Sequence, residues 1–305
     1  MPNGPVRGIQ GILAAAITPR RQSGYQIDLG AALDLIDFLC SKGVQGILLL
    51  GSTGEFLHFD HDDRSRLVAM SVRRSRVPIL VNVSHSTFDG AVRLAEAAGS
   101  AGAAGIVVMP PYFFRYRQSE IREFYLRFAA EAGGRTPLYI YNIPWFTTDI
   151  ECETSIDLLS SGHFEGIKDS SGRFEDFVRL NEFRKQQPFT LMMGADTIYA
   201  RARQAGADGA VSGIASAIPE LLVALDRAVG SGDSAGLERL QKRVEEFAIE
   251  IDRFPVPMGI KAAACTRGLK SGACAVPLSP ERQSEMDQFV NWFREWLKAV
   301  EKECR

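Results

Sequence analysis

Lys168 ends the run Phe164-Glu165-Gly166-Ile167-Lys168, a short strand-like stretch followed by the polar turn Asp169-Ser170-Ser171-Gly172. An amine held in its neutral form at the carboxyl end of a core strand can attack a carbonyl carbon and form a Schiff base. A snorkelling or ion-paired lysine would read the same on this stretch alone. The other lysines, Lys42, Lys185, Lys242, Lys261, Lys270, Lys298 and Lys302, fall mostly in helix-like or loop-like stretches where a charged head reaches water. Three further clusters carry usable groups. Gly51-Ser52-Thr53-Gly54-Glu55 offers two hydroxyls and glycine-freed amides for a carboxylate or phosphate, although an ordinary turn has the same composition. Tyr141-Asn142-Ile143-Pro144 would aim a phenol into a barrel mouth, or hold a core or rim tyrosine. Gly209-Ala210-Val211-Ser212-Gly213 fits a phosphate cradle as well as a tight turn.

These clusters can act together only if the fold gathers them. Short apolar runs alternate with longer amphipathic stretches along the chain. The predicted strands are Ile12 to Ile17, Val44 to Leu50, Pro78 to Val83, Ala104 to Met109, Pro137 to Asn142, Phe164 to Lys168, Phe189 to Met193 and Asp208 to Ser212. The predicted helices between and after them are Leu29 to Ser41, His61 to Ser75, Asp89 to Ser100, Gln118 to Ala132, Glu151 to Ser161, Arg173 to Gln186, Thr197 to Gln204 and Pro219 to Val229. Continuously apolar strands are those buried on both faces, and eight βα units in about 250 residues point to an α/β fold of the closed (β/α)8 TIM-barrel type. An open doubly wound sheet is the rival. Beyond Gly230-Ser231-Gly232-Asp233 only helical periodicity remains, over Leu237 to Ile251 and Gln283 to Lys302. The chain is therefore divided into a barrel with the active site over 1–230 and a C-terminal helical region over 231–305.

Composition narrows the partners. A formal net charge of -2 leaves no global basic field for nucleic acid or an anionic membrane. No apolar run approaches the roughly 18 residues of a membrane span, and Met1 to Gly11 has no apolar leader core. The five cysteines, Cys40, Cys152, Cys265, Cys274 and Cys304, are scattered and odd in number, which reads as free thiols in a reducing, cytoplasmic setting. The run His58-Phe59-Asp60-His61-Asp62-Asp63 lacks metal-ligand spacing and is better explained as a helix start capped by Asp60. No metal site is expected.

Taken in order at successive strand ends, these motifs resemble the pyruvate-dependent Schiff-base lyase family that includes dihydrodipicolinate synthase, N-acetylneuraminate lyase and 2-keto-3-deoxygluconate aldolase. The resemblance spans nearly the whole chain, from Ile17-Thr18-Pro19 to Gly209-Ala210-Val211-Ser212-Gly213. It implies that Lys168 attacks the 2-oxo group of pyruvate or a larger 2-oxo acid, that Ser52 and Thr53 bind the carboxylate, and that Tyr141 acts as general acid and base. No cofactor is implied. The resemblance also implies an aldehyde-type second substrate and a homo-oligomer, commonly a dimer of dimers.

Several residues depart from the synthase pattern. Phe146, in Pro144-Trp145-Phe146-Thr147, stands where those synthases carry an arginine for the aldehyde's carboxylate, which shifts the pocket toward apolar or stacking contact. Phe113, in Pro111-Tyr112-Phe113-Phe114, stands where a neighbouring subunit's tyrosine hydroxyl is expected, unless Tyr112 takes that register. His85 falls in the loop after the third strand, near the predicted mouth. Tyr112, Phe113, Arg115, Tyr116, Trp145, Phe146, His85, Ser170 and Ser212 are the candidates for specificity. A 2-keto-3-deoxy sugar acid dehydratase, a true dihydrodipicolinate synthase, a barrel binding phosphate through Gly194-Ala195-Asp196, and a non-catalytic relative are the alternatives.

Overall fold

Each of the eight apolar runs forms a strand whose residues are all buried in the computed structural model, which describes residues 9–21, 26–132, 134 and 136–304. The strands are β1 (Gly11–Ala15), β2 (Gly46–Leu49), β3 (Ile79–Asn82), β4 (Gly105–Val108), β5 (Leu138–Asn142), β6 (Gly166–Asp169), β7 (Thr190–Met193) and β8 (Gly209–Ser212). Every neighbouring pair is parallel, and β8 returns to β1 with Gly11 opposite Gly209, so the sheet is a closed barrel. That closure removes the open-sheet rival. Residues 1–8, at the start of the segment read as lacking a leader core, lie outside the described residues.

Eight helices cover the barrel: α1 (Leu29–Ser41), α2 (His61–Arg74), α3 (Phe88–Ala101), α4 (Gln118–Ala132), α5 (Cys152–Ser160), α6 (Phe174–Phe183), α7 (Tyr199–Gln204) and α8 (Pro219–Ser231). Local chemistry sets several starts. Asp28, Asp60 and Thr87 each accept a hydrogen bond from an amide in the first turn of α1, α2 and α3. The predicted helix over Thr197 to Gln204 opens instead as a 3-10 turn over Asp196–Ile198.

Beyond α8 come α9 (Ser234–Ile251), α10 (Met258–Thr266) and α11 (Pro280–Glu303). Phe247 of α9 packs against Phe289, Phe293 and Trp296 of α11, with ring centroids 5.5 to 6.2 Å apart. The short helix α10 carries Lys261, which is buried and does not reach water as its loop-like surroundings suggested. Among the described residues no helix is long and apolar enough to cross a membrane.

Candidate active site

The carboxyl ends of the strands open into a cavity of about 590 Å³, within the size range of small-molecule sites. Lys168 reaches it from β6 and Tyr141 from β5. The two are register partners on adjacent parallel strands, so their side chains leave the sheet on the same side. Lys168 Nζ lies 3.7 Å from the centroid of the Tyr141 ring. The Tyr141 hydroxyl in turn lies 3.2 Å from Ser52 Oγ, a hydrogen bond that either group can donate. An amine, a phenol and an alcohol thus form a chain across three strand ends. Both Lys168 and Tyr141 are buried, so the amine sits where water is scarce.

The turn after β6 is fixed from the opposite side of the strand. Asp169 accepts hydrogen bonds from Asn142 Nδ2 at 3.0 Å and Ser171 Oγ at 2.7 Å. Burial raises the Asp169 pKa, and these donors oppose the rise. On the cavity side, Gly194 makes room for the lysine stem. A Cβ there would sit 1.9 Å from Ser170 Oγ and 3.0 Å from Lys168 Cε.

The loop after β2 is a strained turn held by distant groups. Leu50 and Glu55 both take positive φ, 58° and 53°, which non-glycine residues adopt at some cost. Between them only glycine fits at 54, where a Cβ would come within 2.9 Å of the Leu50 backbone. Thr18 Oγ1 donates to Gly54 O at 2.7 Å. The Glu55 carboxylate is buried, with Lys261 Nζ at 2.5 Å and Arg20 Nη2 at 3.6 Å. Burial lowers the Lys261 pKa, and the Glu55 charge opposes that shift. Ser52 and Thr53 are presented to the cavity from this braced loop. Removing Lys261 would leave the buried Glu55 carboxylate with Arg20, at 3.6 Å, as its remaining cation. Lys261→Met is therefore expected to destabilise the fold by about 3 kcal/mol, seen as a melting point lower by roughly 5–10 °C. Lys261→Arg should recover most of the loss, and a Met variant melting with the parent chain would contradict the bracing.

Asp196, in the turn after β7, belongs to the Gly194-Ala195-Asp196 stretch that the sequence offered only for a phosphate. It lines the cavity with Lys168, and its Oδ1 is buried without a hydrogen-bond partner among the described residues. The residue as a whole is half-buried, but the carboxyl is the shielded part. Burial pushes its pKa up to about 6, against the pull of Ser212, the Ile214 amide and the Lys168 charge. The folded carboxyl is thus protonated below about pH 6 and ionised above it. An ionised Asp196 would stabilise a cationic imine on Lys168. Turnover is expected to fall as pH drops through about 6, and Asp196→Asn should flatten that limb. An unchanged limb in the variant would exclude Asp196 as its source.

The remaining candidates divide between two cavities and the surrounding protein. Ser170, Trp145 and Phe146 line the first cavity, along with Ile251, Asp252, Val256 and Ile260 from the C-terminal region. Phe146 also lines a second cavity of about 320 Å³, where Tyr112 and Phe113 join it. Tyr112 packs edge-on against Phe56 at 5.7 Å, whereas Phe113 is 86% exposed and takes φ 83°. His85 and Ser212 are on the wall of neither cavity. His85 Nδ1 accepts the Thr87 amide at 3.1 Å at the start of α3. Burial and then the Arg64 charge lower its pKa, which favours the neutral ring. Ser212 Oγ accepts the Ala215 amide at 3.0 Å. Asp60 caps α2 by accepting the Asp63 amide, the role its run suggested.

A closed (β/α)8 barrel with a shielded lysine, a phenol and paired hydroxyls at its carboxyl mouth is built for carbonyl chemistry through an amine. The chain belongs to the dihydrodipicolinate synthetase family, whose profile matches residues 8–295, and it is accordingly a lyase. A 4-hydroxy-tetrahydrodipicolinate synthase of Methanosphaerula palustris is 29% identical over 280 residues, covering 88% of this chain and 93% of that protein. Among solved structures, YagE, a prophage protein of the dihydrodipicolinic acid synthase family from E. coli K12 in complex with pyruvate, superposes with a TM-score of 0.86 at 24% identity, covering 95% of this chain and 99% of that one. A sialic acid aldolase of Ruminococcus gnavus gives a TM-score of 0.85 at 22% identity, covering 96% and 99%. At those identities the two structures speak for the fold.

Proposed function

We propose that this lyase joins pyruvate or another 2-oxo acid to an aldehyde, or cleaves the product, through an imine on Lys168. The Lys168 amine adds to the 2-oxo carbon and water leaves, giving a protonated imine. Loss of a C3 proton then gives the enamine, with the imine nitrogen as electron sink. Ser52 and Thr53 hold the carboxylate, and Tyr141 carries protons to and from the oxygens that change hands. The observation that carries this reading is the contact chain from Lys168 Nζ over the Tyr141 ring to Ser52 Oγ. The pyruvate complex of YagE supports the choice of 2-oxo acid.

Enamine formation has a signature that needs no second substrate. Pyruvate incubated with the protein in D2O should lose its methyl proton signal far faster than in buffer. A signal that decays at the buffer rate would remove the enamine and with it the proposal.

The compartment proposed is the cytoplasm, in keeping with five free thiols. The assembly proposed is a homo-oligomer, a dimer of dimers. Phe113, Phe114 and Trp145 are exposed at 86%, 65% and 82% beside the mouth, an apolar rim of the kind that subunit contacts cover. Sedimentation that finds only monomer at working concentration would contradict it.

A further inference from the structure

Loss of the C3 proton is the step of the proposed reaction that still lacks a base. Tyr141 serves the oxygens, and its hydroxyl is bonded to Ser52 Oγ at 3.2 Å. Lys168 is itself taken up in the imine. Among the described residues, the other titratable groups on the wall of the mouth cavity are Asp196 and Asp252. Asp252 follows the last residue of α9, in the C-terminal region and away from any strand end. Asp196 stands in the turn after β7, the strand that flanks β6 on the side opposite β5.

That turn runs against the lysine. A Cβ at Gly194, two residues before Asp196, would sit 3.0 Å from Lys168 Cε, so the bare glycine lets the turn and the lysine stem pack this closely. The Lys168 charge is felt at the Asp196 carboxyl, as are the Ser212 hydroxyl and the Ile214 amide from the β8 side. Oδ1 is nevertheless shielded from solvent with no hydrogen-bond partner among the described residues. A carboxylate held this way is a stronger base than one in water, because its charged form is poorly solvated.

Resting on the Schiff-base reading above, we propose that Asp196 is the base that removes the C3 proton of the pyruvyl imine on Lys168. The imine carbon carries its nitrogen toward β6 and its carboxylate toward Ser52 and Thr53 in the loop after β2. The Tyr141 phenol closes the β5 side, which leaves C3 facing β7 and the Asp196 carboxyl. A carboxylate oxygen of Asp196 bonds to the C3 proton, the C3–H pair becomes the C2–C3 double bond, and the C2–N π pair moves to nitrogen. The iminium charge is cancelled as the carboxylate becomes a carboxylic acid. When the enamine then adds to an aldehyde, the new alkoxide takes its proton from Tyr141. Asp196 loses one proton to water and Tyr141 regains one from it, so none is gained or lost overall. The carboxyl on one side of Lys168 thus serves carbon, and the phenol on the other serves oxygen.

The test separates the two stages, using pyruvate alone with the full chain. Borohydride trapping counts the imine, and loss of the pyruvate methyl proton signal in D2O counts its deprotonation. Asp196→Asn should still trap pyruvate, yet its exchange per trapped imine should be slower by about a hundredfold or more, the scale of a positioned base. Asp196→Ala should behave alike and regain part of the exchange when formate is added. In the parent, exchange should fall as pH drops through about 6, where the carboxyl takes up its proton. Tyr141→Phe should keep an exchange per trapped imine close to the parent's. An Asn variant that traps and exchanges like the parent would overturn the assignment. A variant whose trapping falls as far as its exchange would overturn it too, making Asp196 a support of imine formation. A parent protein that traps no pyruvate would sink the Schiff-base reading itself, and the base with it.

Discussion

Lys168→Ala should leave a folded barrel with turnover lower by about four orders of magnitude or more, the scale lost with a covalent nucleophile. The expectation rests on placement. Lys168 is the buried amine that shares a cavity with Tyr141, Ser52 and Asp196, whereas Lys261, also buried, is tied to Glu55 in the loop after β2. Four orders of magnitude correspond to about 5.5 kcal/mol of barrier. The fold should tolerate the loss because the substitution removes a polar head from a cavity wall and leaves the β6 pairing with β5 and β7 intact. Lys168→Arg should be as inactive, since a guanidinium stays protonated and cannot attack. A purified alanine variant within about tenfold of the parent rate would reassign the nucleophile.

Tyr141→Phe is expected to lower turnover about 10²- to 10³-fold, the range ascribed to a positioned acid and base. The ring that sits beneath Lys168 is retained, so the amine keeps its support at 3.7 Å. What is lost is the hydroxyl that meets Ser52 at 3.2 Å, the group able to deliver a proton to the carbonyl oxygen. Imine trapping should persist at a reduced rate, because attack by the amine does not itself require the phenol. A variant with trapping abolished and unfolding unchanged would make the hydroxyl part of nucleophile activation.

The residues that could be read from the sequence share one property: their signal is local. Lys168 and Tyr141 stand at or next to the ends of apolar runs that read as buried strands, and the eightfold alternation of such runs points to the barrel that brings them together. Strand limits were less legible. Leu50 extends an apolar run, yet it takes a positive φ beyond the last residue of β2, because hydrophobicity records burial and not pairing. The Glu55–Lys261 brace could not be found this way, since the two residues meet through the fold of the C-terminal helices over the mouth. Helix α10 gave a weak signal because its small residues, Ala262 to Ala264, carry little contrast between faces. The sequence offers Asp196 only as part of a turn that could bind phosphate, Gly194-Ala195-Asp196, and only closure of the barrel brings it to the same cavity as Lys168. His85 was drawn toward the mouth by its place after β3, but its ring turns instead to the backbone before α3, where Nδ1 accepts the Thr87 amide.

The most direct test of the central claim is to locate the bond itself. The full chain would be incubated with pyruvate and sodium borohydride, digested, and each lysine-bearing peptide weighed. One reduced pyruvyl group on the peptide carrying Lys168, absent when pyruvate or borohydride is withheld, is the expected result. A group found on the Lys261 peptide, or on none, would contradict the assignment of Lys168 as the imine-forming residue.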